Sequence, residues 1–325
     1  MQVQQDEEKL KKATIHEAAR IAGVSIASVS RALNNKPGIS EKTREKILEA
    51  CKQLGYVPSS SARELTGSRK NTIAISLGPH DAYASRYIGM LWPSLSGALR
   101  KSGLNLLPSS FAELEISQVG GAVLLGITAN DPRIEYCQQH NIPYVCIGMA
   151  EGSFWVAPDD FNGGRMAAQH LVDNGLTGIG FVTPTTYGDG YQFRHQGYLS
   201  VMASNALPVR ELRTGADPLG EIAAYRHFMN MDKKQLESYQ GFVCECDETA
   251  LGVIAALKDR GYQLPQDFSV VGYDGLPGIA AGLTTIVQDT DAISDKVAQM
   301  LESAMLGEEP VGSVVSVTLR KGESS

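Results

Sequence analysis

Residues 14–68 contain three short helical patterns, each with its own start and stop signals, followed by a fourth that is too weak to form a helix alone. The first begins with a capping box, Thr14 and Glu17, whose side chains satisfy backbone amides at the start of a helix. Apolar residues then recur at helical spacing as far as Gly23, a residue type that readily ends helices. Short helices of this kind must pack on one another to be stable.

The second and third patterns complete a small helical unit. Ser25 is placed to cap a second helix with Val29 and Leu33 on its inner face. Two helices joined by so tight a turn form a helix-turn-helix, whose second helix fits the major groove of DNA. Ser40 caps a third helix that ends at Gly55. The buried side of the third helix is formed by Thr43, Ile47, Cys51 and Leu54.

Charge is divided unevenly along the chain. Residues 1–69 contain 12 Lys and Arg against 8 Asp and Glu, a net charge of +4. Residues 70–325 contain 17 against 28, a net charge of −11. Only the front of the chain is therefore suited to the phosphate backbone of a nucleic acid, which would supply affinity that falls with salt.

The basic unit also follows a family pattern. It reads T-I-x-x-x-A-R-x-A-G-V-S-x-x-S-V-S-R-A-L-N from Thr14, then I-S-E-K-T-R-E-K-I, L-G-Y-V-P and A-R-E-L. As far as Gly67 it resembles, without a break, the DNA-binding headpiece of the lactose/galactose repressor (LacI/GalR) family of bacterial transcription regulators. The resemblance implies a DNA-binding domain over residues 14–57 and a hinge over 58–69, after a polar, disordered extension over 1–13.

The resemblance also assigns DNA contacts. Ile26 and Ala27 occupy positions that distinguish operators within the family, and Arg31 occupies a position that contacts guanine. Apolar side chains can read thymine methyl groups and groove shape, whereas arginine can donate to guanine O6 and N7 together. The expected phosphate contacts are Thr14, Ser25, Ser30 and Asn34. For the serines, a purely capping or solvated role is an equal alternative.

The fourth helical pattern, about residues 59–67, would be marginal in isolation because helix nucleation is costly. In the family this hinge helix folds when two subunits meet on the operator. Ala62 and Leu65 match its minor-groove contacts, with Leu65 as the wedge that enters the central base step. The alternative is an ordinary linker with an incidental leucine.

Beyond the hinge, short apolar runs alternate with helical patterns. The predicted strands are Thr72–Leu77, Leu104–Leu107, Ala122–Leu125, Tyr144–Ile147, Ile179–Val182, Phe242–Cys244, Ser269–Tyr273 and Val314–Leu319. The predicted helices are near 86–102, 132–140, 163–174, 194–205, 219–229, 249–261 and 291–306. Such alternation with short connections predicts parallel sheets covered on both faces.

The body resembles the periplasmic-binding-protein-like core of the same family through motifs such as D-D-F-N-G-G-R-M-A-A-Q-H-L, D-E-T-A-L-G and F-S-V-V-G-Y-D. The predicted fold is thus an all-α helix-turn-helix headpiece plus an α/β body with two parallel-sheet lobes. We expect an effector-binding and dimerisation domain over 70–325. Its first lobe would span about 70–158 and 288–313, and its second about 159–287 and 314–325.

A ligand of such a body is expected beyond the carboxyl ends of the strands, between the lobes. Arg194 matches the effector-binding arginine of the family, and Asp274 matches a position that binds ligand hydroxyls. The alternatives are a salt bridge of Arg194 across the lobes, to Asp160 or Asp274, and a turn or cap role for Asp274. Asp247 is expected to cap the helix that follows it. The candidate effector residues are Arg194, Asp274, Cys246, Asp160 and Tyr83.

Two positions depart from the pattern of sugar-responsive relatives. Cys246 stands where many of them have asparagine, and Gly148 stands where some have aspartate. Both changes remove polar contacts to a sugar. They leave open a phosphorylated or acidic ligand held by Arg194, or no ligand at all.

Catalysis, cofactors and metals find little support. The chain has no phosphate-binding loop and no Gly-x-Gly-x-x-Gly motif, and no nucleophile stands near a base. His170 and His195 are interpreted as packing or surface residues. Five scattered cysteines without a signal peptide indicate reduced core thiols and no metal site. No apolar stretch approaches 18 residues, so no membrane span is expected.

These features predict a homodimeric repressor of the bacterial cytoplasm and nucleoid. It would bind a palindromic double-stranded DNA operator under control of a small molecule, expected to be carbohydrate-related. A protein partner in place of the small molecule remains an alternative. A transporter-associated solute-binding protein and an enzyme are the rival classes, and the headpiece argues against both.

Overall fold

The computed structural model describes residues 15–25, 28–29, 32, 40–54, 71–78, 85–109, 119–183, 189–215, 220–278 and 282–325. The chain divides into two compact units, Met1–Arg69 and Lys70–Ser325, which we call the headpiece and the body. Each unit is considered by itself.

The described part of the headpiece is helical, with α1 at Ile15–Ala22 and α2 at Glu41–Gln53. Gly23 has a φ of +63°, a left-handed conformation that favours glycine, and it ends α1 as predicted. The carbonyl and the hydroxyl of Ser25 both accept from the amide of Ser28, so Ser25 begins the next helical turn. Ser40 caps α2, because its hydroxyl accepts from the amide of Thr43 at 3.2 Å.

The headpiece has its own small core. Its buried members are mostly small side chains that let short helices approach closely: Ala19, Ala22, Val29, Ala32, Ile47, Ala50 and Cys51. The third predicted helix therefore buries Ile47 and Cys51, as its spacing indicated.

The body contains two six-stranded sheets. The first has the strand order β11-β5-β4-β3-β1-β2, and all of its neighbouring strands are parallel. Its strands are β1 Thr72–Ser76, β2 Asn105–Ser109, β3 Gly121–Leu125, β4 Tyr144–Ile147, β5 Trp155–Pro158 and β11 Gly312–Val315.

The second sheet has the order β12-β10-β9-β8-β6-β7. It is parallel except for the pairing of β10 with the edge strand β12. Its strands are β6 Ile179–Thr183, β7 Glu211–Arg213, β8 Gly241–Cys244, β9 Ser269–Asp274, β10 Thr284–Gln288 and β12 Val317–Arg320.

Helices cover both faces of each sheet. They are α3 Ser85–Lys101, α4 Pro132–Gln139, α5 Asp160–Asp173, α6 Asp189–Ser204, α7 Gly220–Asn230, α8 Lys233–Leu236, α9 Asp247–Asp259 and α10 Thr290–Leu306. Successive strand residues enter different cores: Val123 packs with α3 and α10, whereas Leu124 packs on the side of α4.

The chain passes between the lobes three times, after β5, after β10 and between β11 and β12. The predicted single strand Val314–Leu319 was wrong, because the chain changes sheets at Ser316: Val315 pairs with β5 and Val317 with β10. The lobe change therefore comes after Val315, not near residue 313. The β-branched residues on both sides of Ser316 concealed this break in the sequence.

All five cysteines are buried and free, which confirms the prediction that they lie in the core. Among the described residues, none of the helices has both the length and the apolar character that a membrane crossing requires.

Candidate functional site

Polar side chains gather at the carboxyl ends of the strands in the second sheet. Asp274 is the last residue of β9, Gln288 is the last residue of β10, and Cys246 lies just beyond β8. The amino end of α5 brings Asp160 to this group, and α6 brings Arg194. The carboxyl edge of an open parallel sheet is where ligands bind in such folds. We therefore take this group as the candidate site.

Arg194 is the central residue of the site and has only 6% of its surface exposed. Its Nε donates to Oδ1 of Asp160 at 2.7 Å, and its Nη1 lies 3.4 Å from Oδ1 of Asp274. The same Nη1 donates to the backbone carbonyl of Glu245. An unpaired buried charge is very costly, so these partners are what keep the guanidinium inside the protein.

Two tyrosine rings flank this guanidinium. Its Cζ lies 3.6 Å from the ring centroid of Tyr273 and 5.1 Å from that of Tyr191. Both distances are within the range of cation–π attraction. The rings restrict the plane of the guanidinium, so its donors keep a fixed direction.

Two glycines allow α5 and α6 to bring Asp160 and Arg194 together. A side chain at Gly164 would collide with the backbone of Arg194, and one at Gly197 would collide with the backbone of Phe161. Glycine at such close helix contacts is a packing requirement. Gly164 of the D-D-F-N-G-G-R motif thus has a direct role in assembling the site.

Asp274 connects the arginine to the opposite lobe. Its φ of +110° is unusual for a non-glycine residue and persists only where the surroundings determine it. Nε2 of Gln288 donates to Oδ1 of Asp274 at 2.7 Å, and Oε1 of Gln288 accepts from the hydroxyl of Tyr87 at 2.9 Å. Tyr87 lies on α3 of the first lobe. A continuous polar chain therefore runs from Arg194 through Asp274 and Gln288 to Tyr87.

The titration behaviour of these groups follows from burial. Burial raises the pKa of Asp274 well above its usual value, and Arg194 opposes that shift. Burial also raises the pKa of Asp160, again against the attraction of Arg194. The pKa of Tyr87 is raised by burial and by the nearby carboxylate of Asp274, so its hydroxyl stays protonated and can donate.

One expectation about Arg194 was wrong in its geometry. Its salt bridges to Asp160 and Asp274 exist, but all three residues belong to elements of the second lobe. The bridge does not cross the lobes because α5 and α6 both pack against the second sheet.

The helix cap after β8 was also assigned to the wrong residue. Cys246 is the N-cap of α9, with its thiol accepting from the amide of Thr249. Asp247 lies inside the helix. Its carboxylate accepts from the amide of Leu276 at 2.7 Å and from the hydroxyl of Thr285 at 2.6 Å. Asp247 therefore connects α9 to β10 and to the loop after β9. It is completely buried, so its carboxylate needs these hydrogen bonds.

A second contact joins the lobes at the surface. Nη2 of Arg86 on α3 lies 2.9 Å from Oε2 of Glu221 on α7. Burial raises the pKa of Glu248, and Arg86 is close enough to oppose that shift. Both side chains of the pair are well exposed, so its contribution to the free energy of unfolding is small. Its position between the lobes makes it a contact that any lobe movement must change.

Several functional candidates lie outside the described residues. For the effector site this applies to Tyr83, and for the DNA contacts to Thr14, Ile26, Ala27, Ser30, Arg31, Asn34, Ala62 and Leu65. Ser25 is described and exposed, and its side chain is engaged with Ser28. This contact fits a capping role and leaves a phosphate contact as a prediction.

The sequence interpretation missed Tyr87, Gln288 and Glu245. Tyr87 and Gln288 are 201 residues apart, so no local spacing relates them. A polar residue at the end of each apolar run was the available signal, because carboxyl ends of parallel strands meet at one edge. His195 packs with the rings of Phe181 and Tyr198, in agreement with the packing role predicted for it.

Comparison with protein families gives two matches in this chain. Residues 14–59 match the model for bacterial regulatory proteins of the lacI family, and residues 168–325 match the model for a periplasmic binding protein-like domain. The order of the two matches is that of the headpiece and the body. The chain belongs to the LacI family of bacterial regulatory proteins. It is a transcriptional regulator and not an enzyme.

Similarity to this regulator extends over whole chains. The HTH-type transcriptional regulator CelR of Thermobifida fusca is 26% identical, covering 98% of this chain and 99% of the relative. The HTH-type transcriptional repressor PurR of Glaesserella parasuis serovar 5 (strain SH0165) is 27% identical over 85% of each chain. The lac repressor dimer bound to operator and the anti-inducer ONPF superposes with a TM-score of 0.73, at 22% identity over 97% and 99% of the two chains.

A complex of the transcriptional regulator CelR with cellobiose superposes with a TM-score of 0.69, at 24% identity over 96% of this chain and all of the other. At such identities the structural likeness establishes the fold alone. It confirms the helical headpiece and the two-lobed, mainly parallel α/β body predicted for the regulator.

Proposed function

We propose that the regulator is a dimeric repressor that binds an inverted-repeat operator, with its operator affinity set by a small molecule between the lobes. The observation that carries the effector part is the buried polar network of Arg194, Asp274 and Gln288, which reaches Tyr87 on the other lobe. A ligand that touches this network would contact both lobes together. Its binding is then coupled to their relative position.

The proposed effector contacts are the side chains that converge on this edge. Arg194 and Asp274 would bind ligand hydroxyls, with Asp160 holding the guanidinium, and Tyr83 and Cys246 would line the cleft. Carboxylate and guanidinium groups in a buried, aromatic-walled site favour a ligand with many hydroxyl groups. The cellobiose in the CelR complex supports a carbohydrate-related effector.

The proposed DNA contacts are those of the helix-turn-helix and the hinge. Arg31 is the proposed guanine contact, and Ile26 and Ala27 lie beside it in the same groove. Leu65 and Ala62 are proposed for the central minor groove, and the hinge folds when two copies meet. Because its target is DNA, we place the regulator on the nucleoid in the bacterial cytoplasm.

The regulatory step is a change in lobe angle. A ligand can shift this equilibrium only through different affinities for the two lobe positions, and near-complete reversal needs about 10⁴-fold. The polar chain between Arg194 and Tyr87 is a contact whose strength depends on lobe position. The ligand would act by adding to that chain or by interrupting it.

Selection of bound sites from random DNA at low ionic strength tests the DNA-binding part. The expected result is an enriched inverted repeat with half-sites about one helical turn apart. Enrichment of no symmetric site would contradict the proposal of a dimer on a palindrome.

Arg31→Ala tests the assigned base contact. It should reduce discrimination at one base pair of each half-site by about 1 to 3 kcal/mol, because a bidentate guanine contact is lost. Fluorescence anisotropy with the selected operator and single-base variants measures this loss. Equal losses on operator and random DNA would show that Arg31 does not read a base.

A further inference from the structure

The candidate site contains more buried negative than positive charge. Asp160, Asp274 and Glu245 are each at least 92% buried, and Glu248 at the start of α9 is partly buried. We call these four residues the acidic rim. Arg194 is paired with two of them, so its charge is already opposed by Asp160 and Asp274.

Glu245 is the member of the acidic rim whose carboxylate is not fully used. Its Oε1 accepts from the hydroxyl of Thr249 at 2.6 Å and from the thiol of Cys246 at 3.8 Å. Its Oε2 is buried and has no hydrogen-bond donor in the described part of the chain. A buried carboxylate oxygen without a donor is rare and costly, so it calls for a specific explanation.

The free oxygen belongs to the candidate site. The backbone carbonyl of Glu245 accepts from Arg194, and Tyr191 lies close enough for the charges of Glu245, Arg194 and Asp274 all to affect its pKa. Two more buried hydroxyls lie at carboxyl ends of strands and have no partner among the residues that the structure describes: Ser76 at the end of β1 and Thr183 at the end of β6. Unsatisfied polar atoms therefore lie at this edge in both lobes.

A ligand that satisfies these atoms must bring hydrogen-bond donors and positive charge. An ammonium group has three donors and no acceptor, and it compensates a carboxylate that is otherwise buried at high cost. Burial raises the pKa of Glu245 to about 7, although the hydrogen bond from Thr249 and the charge of Arg194 oppose the shift, so the carboxylate is only partly compensated inside the protein. A phosphate or carboxylate ligand would meet the acidic rim, which argues against the acidic ligand left open by the sequence.

We propose that the effector is an amino sugar, with its ammonium group bound by the free carboxylate oxygen of Glu245 and its hydroxyls bound by the Arg194 and Asp274 network. This inference rests on the proposed function, in which a small molecule occupies the cleft. Tyr191 beside Arg194 is only partly buried and offers a face for the sugar ring, and Ser76 and Thr183 offer further hydroxyl contacts.

Matched pairs of sugars test the inference on the full-length protein at pH 7. The probes are D-glucosamine with D-glucose, D-galactosamine with D-galactose, D-mannosamine with D-mannose, and D-glucose 6-phosphate as the anionic probe. Isothermal titration calorimetry measures Kd, and the shift in Tm checks each result. At least one amino sugar should bind ten-fold or more tightly than its parent, and the phosphate should not bind.

Glu245→Gln is the matched variant, because it keeps the shape of the side chain and removes its charge. It should reduce the preference for the amino sugar at least ten-fold, measured as the ratio of the Kd values for the amino sugar and its parent. The same change at Glu302, an exposed residue of α10 in the first lobe, is the control and should leave both values unchanged.

The inference is overturned if a parent sugar or the phosphate binds more tightly than every amino sugar, if none of the amino sugars binds, or if Glu245→Gln keeps the preference. The wild-type comparison does not depend on the variant folding. A neutral sugar that binds and changes operator affinity would retain the proposed function while removing the amino-sugar assignment. Failure to find any operator would instead remove the proposed function.

Discussion

Among the residues that the structure describes, each lobe buries one arginine at the carboxyl edge of its sheet, but the two lobes use it differently. In the first lobe, Arg133 donates to the backbone carbonyls of Ser76, Leu125 and Gly126, and it pairs with Asp131 at 2.6 Å. The guanidinium group thus binds carbonyl groups at the carboxyl ends of β1 and β3, within its own lobe. In the second lobe, Arg194 lies between carboxylates and tyrosine rings.

The two arginines therefore have different roles: Arg133 stabilises the fold, whereas Arg194 belongs to the candidate binding site. Arg133 satisfies backbone carbonyls that would otherwise be left without donors, so it stabilises a rigid first lobe. Arg194 bonds one backbone carbonyl, that of Glu245, but its charged partners are the side chains of Asp160 and Asp274, which leaves a site whose charges can respond to a ligand. The first lobe contributes to that site through Tyr87 and, at the surface, Arg86. The following predictions test the division, from the largest expected effect to the smallest.

Arg133→Ala should lower the free energy of unfolding by about 4 kcal/mol, because three carbonyls and Asp131 lose a buried partner. Urea unfolding measures the loss. Arg100→Ala is the control, since Arg100 is exposed in the same lobe and its removal should cost about 0.5 kcal/mol or less. A small effect of Arg133→Ala would contradict its role as framework.

Arg194→Met should abolish the response to effector and lower the free energy of unfolding by about 3 kcal/mol at pH 8. Asp160 and Asp274 would then be buried without a cation. Because both can take up protons in the folded state, the loss should be smaller at pH 5. Chemical unfolding at the two pH values checks this. The same loss at both would mean that the site is held by packing rather than charge.

Glu245→Gln should raise the free energy of unfolding above that of the wild type at high pH. The difference between variant and wild type should be about 2 kcal/mol more favourable to the variant at pH 8 than at pH 5. The pKa of Glu245 is raised from 4.5 to about 7 in the folded state. The contribution of this carboxyl group to the free energy of unfolding is therefore most favourable at low pH, where the group is protonated. That contribution is lost as pH rises from about 4.5 through 7, and glutamine does not titrate. Unfolding curves of wild type and variant measure the difference, which Glu302→Gln should not show.

Arg86→Ala and Glu221→Gln should change the free energy of unfolding by less than about 1 kcal/mol, because the pair is exposed. Each should still change effector affinity by about two- to five-fold, since the contact joins the two lobes. A double-mutant cycle on Kd isolates the pair. Additive effects of the two substitutions on Kd would show that the contact between Arg86 and Glu221 is not coupled to effector binding.

Much of the fold could be predicted from the sequence, because buried parallel strands are apolar runs. Tyr144–Ile147 was predicted with its observed bounds. Strand Glu211–Arg213 was missed because it is an edge strand of three residues, two of them charged and exposed. Strand Trp155–Pro158 was missed because it is short and ends in proline.

The site was predictable only in part. Arg194 and Asp274 were predicted from the family resemblance, and Asp160 was named as an alternative salt-bridge partner of Arg194. The bond from Tyr87 to Gln288 depends on how the lobes pack, and the free oxygen of Glu245 depends on which neighbours lack donors. Neither feature can be predicted from the local spacing of residues in the sequence, because both depend on residues that are far apart in the chain.

The most direct test of the account is the affinity of the full-length protein for its selected inverted repeat, measured by fluorescence anisotropy with and without a sugar that calorimetry shows to bind. We expect operator affinity to change at least ten-fold with ligand in the wild type and not at all in Arg194→Met, while affinity for random DNA stays constant in both. An operator affinity that ligand leaves unchanged in the wild type would contradict control of DNA binding by this site.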